Sequence, residues 1–524
     1  MGIYLNPGNE DFIEAIQSEI YVDKTGMIAH TNRVVRTKQK YVCVSRPRRF
    51  GKSMAADMLV AYYSRGCDSK EAFSRFKIAD ADTFEKHLNM YNVIRLNMTR
   101  IMKGNQSIEA MLERLEIQIM DELQEEWQEF KLPRFPSLEL ALEKHFQQYQ
   151  IPFVFVIDEW DCMFRMKQFT ADDQVTYLNF LRNLLKDQSY VALAYMTGIL
   201  PIKKYGEHSA LNMFTEISMT NPREYAEFTG FTEDEVKTLC VEYDMPYEET
   251  KRWYDGYQVK GISIYNPRSV VMSMTGHDFD SYWTQTETYD ALKVFIEMNF
   301  DGLRDKIKDM IAGERINVNS AKFQNDMTSF RSADDVLTLL IHLGYLTYDF
   351  DTKTAWIPNS EVQQEFINSI EDGGWEEIMN AIRSSDELIQ ATLSGDTETV
   401  EKLIARSHEE NTSILKYNDE NSLACVISLA YYTARKNYIM HRELPTGKGF
   451  ADIVYIPRKK VDAPALVIEL KHNQPAGTAI EQIKAKNYPE KIAEYTGEIV
   501  LVGISYDDEK GHNCQIERLV KFSF

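Results

Sequence analysis

No stretch of this 524-residue chain runs to about eighteen uninterrupted apolar residues, so a membrane-spanning helix and a membrane partner are not expected. The six cysteines, Cys43, Cys67, Cys162, Cys240, Cys425 and Cys514, lie far apart, with no Cys-x-x-Cys and no metal-ligand spacing. They read as reduced thiols of a cytoplasmic protein, which argues against a disulfide framework and a zinc site. Met1-Gly2-Ile3-Tyr4-Leu5-Asn6-Pro7 has neither the basic start nor the apolar core of a secretory leader, and it does not complete a myristoylation pattern. Also missing are long Gly/Ser or Pro linkers and internal repeats. Positive charge is scarce: 59 Lys+Arg against 80 Asp+Glu leave −21, which speaks against wholesale non-specific binding of nucleic acid.

The acidity is unevenly spread. From Asn421 onward 14 Lys+Arg stand against 12 Asp+Glu, a balance of +2, so the rest carries −23. A hydrophobic content of 44% excludes a disordered chain, and the length calls for about two to four domains.

Ser45-Arg46-Pro47-Arg48-Arg49-Phe50-Gly51-Lys52-Ser53 follows the apolar run Tyr41-Val42-Cys43-Val44 and precedes a helical pattern, Met54 to Tyr63. A strand, a tight loop ending Gly-Lys-Ser and a helix form a phosphate cradle. Free backbone N–H groups at the helix start face the anion, and the lysine reaches the terminal phosphates. The loop residues Arg48, Arg49, Phe50, Gly51, Lys52 and Ser53 are therefore the expected nucleotide contacts, with the Ser53 hydroxyl suited to Mg²⁺. Arg46 occupies the position where the usual pattern opens with glycine.

Further on, Phe153-Val154-Phe155-Val156-Ile157-Asp158-Glu159 reads as a strand buried on both faces and ending in two carboxylates, where parallel sheets place ligands. Asp158 is expected to hold the Mg²⁺ through water and Glu159 to polarise the attacking water. A helix cap would explain such a pair taken alone, but two matched halves in the right order favour a P-loop ATPase domain. Ala192 to Gly198 reads as another buried strand, and Thr197 at its end is a candidate sensor of the γ-phosphate; an ordinary strand-end threonine is as good a reading of the spacing.

The fold class is α/β: a P-loop ATPase with a parallel sheet, a helical middle and a C-terminal α/β domain. The expected divisions are 1–225 for the ATPase, 226–360 for a helical lid or winged-helix-like region, 361–415 for a helical connector, and 416–524 for the last domain. In that domain Gly449 to Ile456 and Ala465 to Lys471 read as a hairpin. Asp452 on the first strand and Glu469 and Lys471 on the second place three charged groups together, since 469 and 471 share a face. Two carboxylates suit a divalent metal, and a neighbouring lysine can position water and stabilise phosphorane-like charge. Surface decoration is the plainer reading of Glu-x-Lys, yet charge at the end of an apolar run is costly without a role.

With these pieces in order, the chain resembles the bacterial AAA-ATPase-like proteins that carry a C-terminal PD-(D/E)XK nuclease-like domain, a restriction-endonuclease-like fold. The matching residues are Tyr21-Val22-Asp23-Lys24-Thr25, the loop 45–53, and Ile157-Asp158-Glu159-Trp160-Asp161. They continue with Thr197-Gly198, Phe228-Thr229-Gly230-Phe231-Thr232, Trp253-Tyr254-Asp255-Gly256-Tyr257 and Tyr265-Asn266-Pro267, then Asp452, Glu469-Leu470-Lys471 and the helix with Gln482. The resemblance accounts for Arg46, and it implies Glu420 as a further metal ligand ahead of the nuclease strands. It implies ATP and Mg²⁺ as cofactors, catalytic roles for Glu159, Asp452, Glu469 and Lys471, nucleic acid with DNA favoured as a partner, and assembly into a homo-oligomer, in which Arg182 and Arg223 are arginine-finger candidates. The function expected is ATP binding and hydrolysis coupled to a metal-dependent nuclease acting on DNA, in defence or the control of mobile elements. The alternative is a nucleotide-dependent switch whose nuclease-like domain binds without cutting, in line with its near-neutral charge.

Overall fold

The computed structural model describes residues 2–104, 107–166, 168–202, 211–221, 223–259, 261–283, 300–311, 313–323, 330, 332–372, 376–411, 427, 430–431, 434, 438–446, 449–457, 461, 463–485, 498–507 and 511–519. The chain falls into two compact units, Met1–Gly302 with Arg315–Glu365, and Leu303–Glu314 with Phe366–Phe524.

The first unit is built on five strands: β1 (Tyr41–Ser45), β2 (Asn92–Asn97), β3 (Phe153–Asp158), β4 (Val191–Gly198) and β5 (Thr215–Ile217). They lie in the order β2-β3-β4-β1-β5, and every neighbouring pair is parallel. Parallel pairing needs a crossover between strands, and the helices that provide it cover both faces. Side chains alternate between those faces. Phe153, Phe155 and Ile157 pack under the helices Ile108–Glu126, Leu138–Tyr149 and Ala171–Leu185, whereas Val154 and Val156 pack against Gly26–Val34 and Lys52–Tyr63. Every residue of β3 is buried, which is why it reads as an unbroken apolar run.

Later segments of this unit form two small sheets. β6 (Phe231–Thr232), β7 (Tyr257–Val259) and β8 (Ile262–Tyr265) make one, in the order β6-β8-β7. β9 (Ile316–Asn317), β10 (Thr347–Asp349) and β11 (Thr354–Trp356) make the other, in the order β10-β11-β9. Between them run the helices Glu233–Glu242, Tyr247–Tyr254, Pro267–Gly276 and Ala333–Leu343. The Gln258 N–H donates to Thr347 Oγ1 at 2.8 Å and ties β7 to β10.

The second unit holds a mixed sheet in sequence order: β12 (Tyr438–Thr446), β13 (Gly449–Pro457), β14 (Ala465–His472), β15 (Ile499–Asp507) and β16 (Gly511–Leu519). β13 and β14 pair antiparallel, as their hairpin spacing suggests, and β14 and β15 are the parallel pair. Ile453, Leu466, Ile468, Leu470, Val500, Val502 and Ile504 face the helices Glu376–Ser394 and Thr397–Asn411. Val454, Ala465, Val467, Ile499 and Leu501 face Ile480 and Ile483 of the helix Ala476–Ala485.

Candidate functional site

In the first unit the site forms where β1, β3 and β4 end. β4 lies between the other two, and Val44 pairs with Thr197 while Ile157 pairs with Met196. Thr197 and Asp158 therefore emerge side by side, on the face that also carries the helix Lys52–Tyr63. Ser53 Oγ donates to Asp158 Oδ2 at 2.8 Å, Thr197 Oγ1 donates to Asp158 Oδ1, and Asn97 Nδ2 reaches Oδ2 at 3.5 Å from the end of β2. Asp158 is 1% exposed, so these donors replace the water it lacks.

The loop between β1 and its helix is held from below by Arg46. This side chain is 1% exposed; its Nε donates to Thr229 Oγ1 at 3.0 Å and its Nη1 to Ser45 O at 3.1 Å. The residue standing where glycine is usual thus points into the protein, away from the anion position. Burial lowers its pKa to about 10. Arg49 has φ 68° and donates through Nη1 to Tyr282 O at 2.6 Å. The ring of Phe50 packs edge-on against Tyr257, 5.1 Å between centroids, and its carbonyl accepts the Gly230 N–H at 3.1 Å. Gly51 has φ 80°, with nothing within 4 Å of a Cβ placed there, so the dihedral alone calls for glycine.

Lys52 opens the helix at 5% exposure and folds back on the loop, donating to Pro47 O at 2.7 Å. Burial lowers its pKa to about 8, against the pull of Glu159, Asp161 and Asp158. Glu159 stands just past β3 with φ 57° and is ion-paired to Arg165.

A cavity of about 540 Å³ opens over this loop. Arg48, Arg49, Lys52, Ser53 and Glu159 line its polar end, and Ile20, Val22, Phe228, Phe231, Val271 and Met272 its apolar wall. Two family motifs find their structural role here. Asp23 accepts from Thr25 N–H and Oγ1 and from Lys77 N–H, while Lys24 Nζ donates to Glu227 O at 2.7 Å and to the Glu235 carboxylate at 2.6 Å. Gly230 has φ 92°, and a Cβ there would stand 2.3 Å from Ile264. Arg268, which also lines the cavity, follows the Asn266 cap and Pro267 that open its helix.

In the second unit Glu469 and Lys471 stand two residues apart on β14, facing the helix Ala476–Ala485. Glu469 is 1% exposed and Lys471 is 6% exposed. Lys471 Nζ lies 3.6 Å from Glu469 Oε1, and Gln482 Nε2 donates to the same oxygen. Ile453 pairs with Ile468, so Asp452 and Glu469 are the next positions along the same register. The Asp452 side chain and the whole of Glu420 lie outside the described residues. Among the described residues no three His, Cys, Asp or Glu side chains converge as a metal cage.

The loop residues, Asp158, Glu159 and Thr197 are thus brought together, as are Glu469 and Lys471. Arg182 is exposed on the helix Ala171–Leu185, and the Arg223 side chain lies outside the described residues. Asn97, Arg165 and Arg268 were not expected from the sequence. Asn97 carries no motif, and only the strand order puts it beside Asp158. The Asp161–Arg165 spacing of one helical turn was the available signal for the second.

Residues 8–206 match the family described as "Predicted AAA-ATPase", and residues 418–516 match the PD-(D/E)XK nuclease superfamily. An uncharacterized protein encoded in the vnfD 5′ region of Azotobacter chroococcum is 24% identical over 515 residues, 93% of this chain and 92% of its own. Among solved structures, a Walker-type ATPase of Pyrococcus abyssi aligns over 67% of this chain and 96% of its own, at 14% identity and a TM-score of 0.36. The ORC2 protein of Aeropyrum pernix in its ADPNP–ADP complexes aligns over 69% and 98%, at 11% identity and a TM-score of 0.28.

Proposed function

Because the chain joins an AAA-ATPase-like region to a PD-(D/E)XK nuclease-like region, we propose that it binds and hydrolyses ATP in its first unit and cleaves nucleic acid, DNA foremost, in its second. The observation that carries the first half is the convergence of Lys52, Ser53, Asp158, Thr197 and Glu159 at the ends of three parallel strands. Loop N–H groups and Lys52 bind the phosphates, and the apolar wall receives the base. The Ser53 hydroxyl and the Asp158 carboxylate, already 2.8 Å apart, fit a Mg²⁺ and would hold it with the phosphates. A bound Mg²⁺ would neutralise charge on the β- and γ-phosphates. Thr197 senses the terminal phosphate by turning its hydroxyl from Asp158 toward it, and the Glu159 carboxylate accepts the proton of the attacking water.

In the second unit Glu469, Asp452 and Glu420 would hold Mg²⁺, whose role there is to activate water and offset phosphate charge. Glu469 fits: it is a buried carboxylate whose described partners are the Gln482 amide and Lys471. Lys471 Nζ orients the attacking water and stabilises charge on the phosphorane, and the Gln482 amide fixes the Glu469 carboxylate. We place the protein in the cytoplasm, with self-assembly as part of the same reading.

The test is incubation of the purified chain with plasmid, linear and single-stranded DNA and with RNA, with and without Mg²⁺ and ATP. Mg²⁺-dependent ATP turnover and cleavage are expected. The near-neutral charge of residues 421–524 favours a second reading, a nucleotide-dependent switch that binds without cutting. ATP turnover with no cleavage of any substrate, in Mg²⁺ or Mn²⁺, would select it.

A further inference from the structure

The short helix Cys162–Arg165 follows β3 closely and ends in an arginine that reaches two carboxylates. Arg165 Nε donates to Asp161 Oδ2 at 3.2 Å, and Nη2 donates to Glu159 Oε2. The two acceptors differ in kind. Asp161 is 0% exposed, and the same Oδ2 accepts the backbone N–H of Ile199 at 3.0 Å and of Leu200 at 2.9 Å, the two residues that follow β4. Main chain just past β4 thus fixes Asp161, and Asp161 anchors the guanidinium. Glu159 instead keeps 24% of its side chain exposed and lines the nucleotide cavity. Its backbone is set as well: φ is 57°, Trp160 N–H donates to Thr197 O at 2.9 Å, and Cys162 N–H donates to Glu159 O at 3.0 Å. A non-glycine residue in the left-handed region is held there only by surroundings that over-determine it.

An arginine placed to bind phosphate would present its fork to the cleft. Here Nε and Nη2 go to carboxylates, and the side chain is 14% exposed. Resting on the reading that this cleft hydrolyses ATP, we infer that Arg165 is the positioning residue of Glu159: from its anchor at Asp161 it keeps the carboxylate aimed at the cleft, and it does not bind phosphate.

The experiment compares the wild-type full-length chain with Arg165→Met and Arg165→Lys. It measures the affinity for a non-hydrolysable ATP analogue by calorimetry and kcat and KM for ATP. In Arg165→Met, kcat is expected to fall at least tenfold, with KM and analogue affinity staying within twofold. Arg165→Lys should recover part of the rate, and it serves alone if the methionine variant does not fold. A tenfold loss of analogue affinity would make Arg165 a phosphate ligand and overturn the inference. An unchanged kcat would leave it a structural role only. Wild-type turnover with either of these results overturns this inference alone, whereas no wild-type turnover overturns the hydrolysis reading and this one with it.

Discussion

Ser53 Oγ and Asp158 Oδ2 are hydrogen-bonded at 2.8 Å, although 105 positions of sequence separate them. One stands in the first turn of the helix after β1, the other closes β3, and β4 lies between their strands. The bond exists because Asp158 is in phase with Val154 and Val156, on the sheet face against which that helix packs. A carboxylate one position earlier would face the opposite layer and miss the loop.

Lys52→Ala removes the one buried cation at the head of this helix. ATP binding should weaken by about 1.5–3 kcal/mol, roughly ten- to a hundred-fold, as expected for a lost hydrogen bond to a charged group. Titration calorimetry measures it. Unchanged affinity would exclude this loop as the phosphate cradle.

Lys52 also predicts a pH dependence. Burial holds it near 8 in the nucleotide-free chain, and phosphate bound beside it would raise that value. Binding then takes up a proton above pH 8, so affinity should fall as pH rises past 8, by up to about tenfold per unit. Binding measured from pH 7 to 9.5 should show this slope in the wild type and none in Lys52→Ala.

His145 predicts an acid limit on stability. It is 0% exposed, ringed by Trp127, Phe130, Tyr149 and Phe153, and burial, with Arg65 adding to it, lowers its pKa to about 4 from an ordinary 6.5. The unfolded chain therefore binds the extra proton first as pH falls. The stability this neutral imidazole contributes is complete above pH 6.5 and is lost progressively toward pH 4, about 2 kcal/mol of it by pH 5. Thermal melts at pH 7 and 5 should show a smaller drop in Tm for His145→Leu than for the wild type. Equal drops would mean the imidazole is not the titrating group.

Lys471→Ala should lower Mg²⁺-dependent cleavage about 10²–10³-fold, the scale of a lost charge stabiliser, with ATP turnover within about twofold of wild type. Lys471 lies in the second unit and the nucleotide loop in the first. Both activities are measured on one preparation. Intact cleavage in the variant would remove Lys471 from the mechanism.

The sequence is most legible where chemistry is local. The Gly-Lys-Ser loop, the apolar run ending in Asp158-Glu159 and the alternation of Glu469 and Lys471 each fit within a few residues. The strand pattern of 449–456 and 465–471 likewise appears as the antiparallel pair β13 and β14. The helix Ile108–Glu126 has a charged, helix-like continuation in sequence, but the backbone leaves the helix at Trp127. Within the stretch expected as a helical connector, 361–415, the chain breaks at Gly395, φ 81°, between two helices. What could not be read depends on sequence-distant contacts. Arg46 looks like a broken loop motif until Thr229, 183 positions away, supplies its acceptor. Asn97 carries no signal of its own, because the pairing of β2 with β3 is what brings it to Asp158.

Both faces of the β1–β5 sheet are apolar and covered, and this has a consequence for how β3 could be edited. Deleting one residue before Phe153 would exchange Phe, Val and Ile between two layers that both accept them, so burial alone opposes such a slip only weakly. The polar strand ends oppose it strongly. Asp158 would turn from Ser53, Thr197 and Asn97 into the layer of Leu181 and Met196 and lose its donors there. The residues that would handle the phosphates thus also work as the alignment marks of the sheet, and a frame-shifted β3 would cost the protein its chemistry before it cost it a core.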